Sequence, residues 1–446
     1  MTESKTVEFN RRVPVRHDVD VFVAGGGPAG VAAAVAAARQ GASVFLAEGE
    51  ISLGGTGTSG GVAMFCVFTD GVNFVADGVG RMIYDRVFEC GGASPASHRG
   101  DRSVFFKPEV LKRVYDELLA DEGVSYALAT HVIGLQAEDG RVSHVVCSGK
   151  SGLYAVRAGT YVDATGDGDL CVWAGARYEK GDAHGLMQPG TYVSLWSGVD
   201  WERAEAEGFG VWKQDGRLKD AIADGALSVP DPSMPGILPT SSQSGHGVIG
   251  HLFGVDGTDE RSLTEAAIHG RKTIGEYESY YKTYLKGYEN LELIAMAARL
   301  GIRETRRITG DYVLTEDDYW NRATFDDEIG RYCYGIDMHA RTLEEAATAS
   351  ESFDNSWLPK GESYGIPYRT LTPAGLQNVL VAGRCISVDQ KVLASVRVMP
   401  GCFITGQAAG VAAAMTAEEK TDIRGIDVKE LRTRLADFGA YLPNVT

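Results

Sequence analysis

The chain has 446 residues, 44% hydrophobic and 23% charged, with a formal net charge of −17. These are the proportions of a globular protein with a large core, and the length predicts about two or three domains. The acidic balance weighs against a nucleic-acid or anionic-membrane partner, and the longest small-apolar run, Val31 to Ala38, is too short to span a bilayer.

The N-terminal stretch lacks the apolar region of a secretion signal. Seven scattered cysteines with no C-x-x-C give no iron–sulfur, zinc or dithiol motif. The expectation is therefore a soluble protein without a metal site, in a reducing, cytoplasmic compartment.

Val19 to Ala24 reads as a buried strand that breaks at Gly25-Gly26-Gly27-Pro28-Ala29-Gly30, where an alanine-rich helix begins and runs to about Gln40. Gly41 fits the helix stop, and Ser43 to Ala47 reads as a second strand ending at Glu48. Glycines 25, 27 and 30 fit G-x-G-x-x-G, in which the first allows the tight turn, the second admits a pyrophosphate, and the third packs helix on strand. Glu48 follows at close to the roughly 20-residue spacing of an acid that binds a ribose 2′-OH. A carboxylate there argues for FAD or NAD rather than NADP. The same pattern at Gly55–Gly60 and Gly245–Gly250 lacks the strand–helix context and reads as chance.

Behind Glu48 comes a loop of small residues, with Gly54-Gly55, Thr56 and Ser59, whose backbone can lie against a ligand. Helices are predicted near 80–90 and from Pro108 to Asp121. Strands follow at Val124–Leu128, His131–Ala137 and Val142–Cys147, then at Tyr154–Ala158 leading into Thr160–Ala164 and Thr165-Gly166-Asp167. The next stretch holds strand at Tyr192–Trp196, mostly helix from Leu263 to Arg299, and strand at Gly310–Leu314 and Ala323–Phe325. Its tyrosines, at 277, 280, 281, 284 and 288, read as packing. The chain returns at Gln377–Arg384 as a short apolar strand. Helices from about Cys402 to Ala417 and from Asp427 to Phe438 close it.

These segments recur together in one arrangement, and the chain resembles the FAD-dependent oxidoreductase family within the glutathione-reductase-type flavoprotein superfamily, distantly related to fumarate reductase flavoproteins. The residues that carry the narrower resemblance are Gly301–Arg307, Ser395–Cys402 and Gly406–Gly410. It implies an α/β chain with a Rossmann-like FAD-binding domain of the glutathione-reductase type. That domain is discontinuous (1–60, 128–172 and 367–446), and a mixed α+β substrate or cap domain is formed by 61–127 and 173–366.

The resemblance implies that Gly25, Gly27, Pro28, Ala29 and Gly30 bind the FAD pyrophosphate and Glu48 the adenosine ribose. Gly54, Gly55, Thr56 and Ser59 would line the pyrophosphate–flavin stretch, and the Val132 backbone would meet adenine. Ala164, Thr165, Gly166 and Asp167 would pass beneath the cofactor. Gly383 and Arg384 would meet the ribityl chain, with Arg384 standing where such groups carry an acid. The helix after Pro400, including Gly406, would aim its N-terminus at the flavin pyrimidine edge, where reduced flavin carries negative charge.

For catalysis, Arg303 or Arg306 is a candidate anchor for an anionic substrate, against a structural pairing with Glu304. Arg397 is a second anchor candidate, against a strut holding its loop. His246, with His251 in the same glycine-rich loop, is a candidate for moving a proton, and their spacing without a carboxylate argues against metal.

With neither a second glycine-rich βαβ unit nor a cysteine pair, electrons are expected from the substrate itself. The expected reaction moves a hydride between a small polar, anionic substrate and flavin N5. The alternatives are a monooxygenase and a flavoenzyme using FAD in a non-redox or structural role. A separate electron acceptor, molecular oxygen and a homo-oligomer are left open as partners.

Overall fold

The computed structural model describes residues 7–348 and 356–445. Strand β1 (Val15–Ala24) turns through the glycines into α1 (Pro28–Arg39), and β2 (Val44–Ala47) returns parallel to it, Val21 opposite Val44 and Ala24 opposite Ala47. Both strands are fully buried over this register, as parallel strands covered on both faces must be. Helix α2 (Val79–Glu89) follows, then α3 (Pro108–Asp121), which packs on α1 and α2. Strand β3 (Ser125–Ala127) then adds to β2 in parallel. The chain is thus back in the main sheet by Ser125, slightly ahead of the return at 128 that the sequence suggests.

Next come β4 (His131–Glu138), β5 (Arg141–Gly149) and β6 (Gly152–Asp163), an antiparallel meander. What reads in sequence as two strands, 154–158 and 160–164, is one strand of 12 residues. Its length sets the topology. One edge runs parallel to β1 from Ala155 to Asp163, while the other pairs first with β5 and then, from Tyr161, with a strand from the far end of the chain.

Between these lies the second unit. Strand β7 (Tyr178–Lys180) leads to a four-stranded antiparallel sheet built from β8 (Ser194–Ser197), β9 (Gly236–Pro239), β10 (Gly245–Val248) and β11 (Glu292–Met296) in the order β9-β10-β8-β11. Helix α4 (Glu260–Tyr284) lies beside it, and the expected helix to Arg299 is corrected: it ends at Tyr284, and after a loop the chain forms β11 at Glu292–Met296. The tyrosines do pack. Tyr280 and Tyr281 are buried, and their hydroxyls donate to the Gln214 backbone carbonyl and to its Oε1 (2.7 and 2.8 Å).

The strands expected at Gly310–Leu314 and Ala323–Phe325 are likewise displaced, to β12 (Arg306–Ile308) and β13 (Glu328–Tyr332); Gly310 and Leu314 make only isolated bridges. Strand β14 (Tyr364–Pro367) pairs with β13, and β15 (Val379–Val381) is the strand that completes β6.

Helix α5 (Met399–Glu419) begins three residues earlier than expected and is buried on every side through Thr416, as a central helix must be. It crosses α1 closely enough that a Cβ at Gly406 or Gly410 would overlap the carbonyl oxygens of Ala29 and Ala33. The surface helix α6 (Val428–Asp437) closes the chain. Among the described residues no single helix is long and apolar enough to cross a membrane, and no cluster of side chains is arranged to hold a metal ion.

Candidate functional site

At the end of β1, Gly25 takes a left-handed φ of +91°, and a side chain at Gly30 would overlap the Gly25 carbonyl oxygen. Those two positions fix the tight turn and the close helix start. Gly27 differs: a Cβ there would meet nothing within 4 Å, so bare backbone faces outward. Helix α1 has no side-chain cap and no acid in its first turn, which leaves its N–H groups and positive dipole end for an anion. Gly55 closes the other side, 3.2 Å (as a Cβ) from Gly27 Cα. Its loop is held by the Gly54 N–H donating to the Gly26 carbonyl (2.8 Å) and by the Ser52–Ser59 hydroxyl pair, while Thr56 is exposed.

Glu48 is only 6% exposed. Its Oε2 accepts the Gly26 N–H at 2.6 Å and its Oε1 the Glu50 N–H at 2.8 Å. Each oxygen keeps a further lone pair, so the carboxylate can pin the glycine turn and still accept sugar hydroxyls. The chain before β4 wraps this strand end: the Ala129 and Thr130 N–H groups donate to the Glu50 and Glu48 carbonyls, both at 2.9 Å. That leaves His131 against Gly49, and Val132 opposite Cys147 on the edge strand of the sheet.

The loop after β6 is tied to two distant segments. Buried Asp163 gathers it by accepting from Thr165 Oγ1 and the Cys171 N–H (2.7 and 2.9 Å). Asp167 Oδ1 accepts from Arg384 Nη2 (2.6 Å) and Thr305 Oγ1 (2.7 Å), and Arg384 Nη1 also donates to Thr305 (2.9 Å). A side chain at Gly166 would press on the same guanidinium. Arg306 Nη1 donates to Asp169 Oδ1 at 2.7 Å and Arg307 Nη1 to Glu304 Oε1 at 2.6 Å, so both are structural. Arg303, not Arg306, is the arginine of this run that faces the next cluster.

Helix α5 opens with Pro400 in its first turn and no side-chain cap. A Cβ at Gly57 would meet Met399 Sδ at 2.7 Å, and one at Gly383 would lie 3.7 Å from Cys402 Sγ. The small-residue loop, the end of β15 and the α5 N-terminus therefore converge.

Arg397, just before α5, has a side chain only 6% exposed. It donates from Nη1 to Gln188 Oε1 (3.0 Å) and to the Arg303 carbonyl (3.3 Å), and from Nη2 to the Asp337 carbonyl (2.9 Å). Arg303 Nη1 donates to the Pro189 carbonyl and to Thr191 Oγ1, both at 2.8 Å. Its Nε and Nη2 have no partner among the described residues. Gln188 is buried, and its Nε2 is likewise an unpartnered donor.

His339 and His251 complete the cluster, their Nδ1 and Nε2 2.9 Å apart. Burial and then the Arg397 charge lower Arg303 to about 10. Burial and Arg303 push His339 down to about 3. Burial would raise Asp337, but His339, Arg397 and Arg303 outweigh it and hold its carboxyl well below the usual range.

Residues 20–435 match the family model described as FAD dependent oxidoreductase. The chain belongs to this family. It is an FAD-dependent oxidoreductase, a flavoprotein enzyme with a Rossmann-like parallel sheet. No curated protein matches it.

Among solved structures it is similar to a geranylgeranyl bacteriochlorophyll reductase-like protein of Thermoplasma acidophilum (12% identity, 95% of this chain and 82% of that one, TM-score 0.44). It is also similar to the p-nitrophenol 4-monooxygenase of Pseudomonas putida DLL-E4 (12% identity, 94% and 84%, TM-score 0.45). A third similarity is to a myxobacterial chondrochloren halogenase (13% identity, 94% and 78%, TM-score 0.44).

The residues present fit FAD: an uncapped helix start with an open backbone at Gly27, a facing glycine at Gly55, and a buried carboxylate with lone pairs to spare. The corresponding holders would be Gly25 to Gly30 with Gly55 for the diphosphate and Glu48 for ribose. Val132 would face adenine. Ala164 to Asp167, Gly383 and the α5 start would enclose the flavin.

Three expectations need correction. Gly406 is sealed between α5 and α1 and serves helix packing, with no face for a cofactor. The Arg384 guanidinium is committed to Asp167 and Thr305. His246 stands apart from the arginine cluster: its charged neighbours are Glu109 and Lys112, and burial lowers it to about 4. His251 of the same loop is the histidine that joins the cluster.

Gln188, Asp337 and His339 escaped the sequence reading because no motif joins them. The only local signal was the Asp337-x-His339 spacing.

Proposed function

We propose that this family member oxidises a small substrate bearing a carboxylate, with the substrate's hydride passing to flavin N5 and the electrons leaving to a separate acceptor or to oxygen. We further infer that the nucleotide half is of the glutathione-reductase type, a reading supported by the parallel strands carrying an antiparallel meander and by the return of β15 beside β6.

The observation that carries the functional reading is Arg303. Two donors of a half-buried guanidinium have no partner among the described residues, and they sit in the same cluster as the unpartnered Gln188 Nε2. Such a donor set calls for an acceptor-rich, planar anion. Arg397 backs it by holding Gln188 and the Arg303 backbone in place. Bound FAD supplies the two-electron acceptor; the chain supplies orientation, charge and a nearby imidazole, His339, for the accompanying proton.

The test is anaerobic mixing of FAD-loaded protein with small 2-hydroxy and 2-amino carboxylates and with their neutral amides, reading flavin absorbance. Carboxylates should bleach the flavin and amides should not. Arg303→Ala should raise the half-saturating concentration at least about 30-fold, the equivalent of some 2 kcal/mol, with the flavin spectrum intact. Equal bleaching by acids and amides, or an unchanged Arg303→Ala response, would remove the anchor. Bleaching that requires reduced nicotinamide, followed by substrate hydroxylation in air, would assign the monooxygenase reading instead.

A further inference from the structure

Behind Arg303 and Arg397 runs a line of four side chains. Asp337 Oδ1 stands 3.4 Å from His339 Nε2, His339 Nδ1 lies 2.9 Å from His251 Nε2, and His251 Nδ1 lies 2.9 Å from Asp231 Oδ2. The two rings are perpendicular, with centroids 5.0 Å apart. The line descends from partly open to closed: the Asp337 side chain is 25% exposed and that of His339 14%, whereas His251 and Asp231 are buried. At its far end His251 lines a narrow cleft beside α4, with Tyr277, His269 and Glu276, roomy enough for about one water molecule (≈ 10 Å³).

Counting hydrogens shows what the line is suited to do. Both carboxylates are held ionised by their neighbours, His251 lowering Asp231 against burial, and both imidazoles are held neutral by burial. Two neutral imidazoles bring two N–H groups to three contacts, so one contact always lacks its hydrogen. The geometry agrees. The His–His contact is a good hydrogen bond, the Asp337 contact is long, and at Asp231 the N···O approach lies off the hydrogen-bond line. One added proton would satisfy all three contacts and place its charge between two carboxylates.

We infer that Asp337, His339, His251 and Asp231 form a relay that carries the substrate's heteroatom proton from the Arg303 side to the cleft beside α4. The inference rests on the substrate placement proposed above. As the substrate is oxidised, its O–H or N–H bond breaks and a bond to hydrogen forms at His339 Nε2. The electron pair left behind becomes the second bond to carbon, and bound FAD would supply the acceptor for the hydride that carbon gives up. The His339 Nδ1 hydrogen then moves to His251 Nε2, and the His251 Nδ1 hydrogen leaves to water in the cleft beside α4.

Other groups facing the line do not compete. Arg303, lowered only to about 10, stays charged at neutral pH, burial pushes the Cys66 thiol up to about 12, and burial raises the Tyr334 and Tyr277 phenols too.

The test uses the FAD-loaded full chain with ¹⁵N-labelled histidine, and needs no substrate for its first arm. Nitrogen spectra should show one protonated and one bare nitrogen across the His251–His339 contact at neutral pH, with neither ring titrating near the ordinary 6.5. His251→Gln should change the His339 tautomer signals. Independent titration of either ring near 6.5, or His339 signals indifferent to His251→Gln, would overturn the relay.

In the second arm, His251→Gln should slow flavin reduction by a bleaching substrate about 100-fold, with a larger solvent isotope effect and an unchanged half-saturating concentration. An unchanged rate and isotope effect would also overturn it. Should no carboxylate bleach the flavin, the substrate reading falls, and the nitrogen spectra still decide the relay.

Discussion

Glu48 holds the glycine turn and is proposed to accept the ribose with the same carboxylate, which makes its removal informative. In the protein alone it accepts two backbone N–H groups, from Gly26 at 2.6 Å and Glu50 at 2.8 Å, at a position 6% exposed. Hydrogen bonds to a charged acceptor contribute roughly 1.5–3 kcal/mol each, and a buried N–H left alone costs a similar amount. Glu48→Ala therefore loosens the turn that presents Gly27 as well as deleting the ribose acceptor.

The FAD dissociation constant should rise about 10- to 150-fold for the ribose contact alone. The urea midpoint of the FAD-free protein should fall at the same time. Glu48→Gln should be intermediate: its carbonyl can satisfy one N–H, but its amide turns a donor toward the other. Fluorescence titration of FAD-free protein with FAD, beside urea unfolding of the same samples, separates the two effects. An unchanged FAD affinity would remove Glu48 from the cofactor site. Weakened affinity with an unchanged urea midpoint would show that it does not hold the turn.

Three further outcomes follow from the geometry. Gly30→Ala drives a methyl group into the Gly25 carbonyl. It should cost at least ~1–3 kcal/mol in stability and yield protein that purifies colourless; a yellow protein of normal stability would contradict the tight turn. Arg384→Gln and Asp167→Asn, combined in a double-mutant cycle, should show a coupling of roughly 1–3 kcal/mol for a 2.6 Å pair whose side chains are 14% and 20% exposed, and additivity would return both to solvent.

Burial, with Asp163 and Asp167 adding like charge, raises Asp169 from 3.8 to about 6. The folded state therefore holds a proton that the unfolded chain has lost, and stability should fall as pH rises between those values. Asp169→Asn should remove that slope, so its stability relative to the parent should climb from pH 3.8 to about 6 and then level off. A flat difference would refute the raised value.

The proposed nucleotide cradle was legible in the sequence because it is built from neighbours. Gly25 to Gly30 lie within one βαβ stretch and Glu48 and Gly54-Gly55 directly behind it, and each glycine's task follows from local backbone geometry. The parallel strands and the central alanine helices were legible for a similar reason: a segment buried on all sides is apolar along its whole length. Strand content in the second unit was harder. The run from Leu263 to Arg299 changes from helix to strand at a loop after Tyr284, and β11 is stabilised by pairing with β8, nearly a hundred residues away.

What the sequence alone determined, then, is a glycine turn and an uncapped start of α1 suited to a dinucleotide, since short-range sterics allow little else there. Which arginine keeps open donors, and which histidine of the SGHGVIGH loop joins its cluster, only the tertiary structure decided. Arg306 is drawn off by Asp169 and Arg307 by Glu304, while Arg303 keeps open donors. His251 meets His339 across 88 positions of chain. Side-chain contacts at that separation depend on where the folded sheets carry each residue, and no periodicity or motif records it.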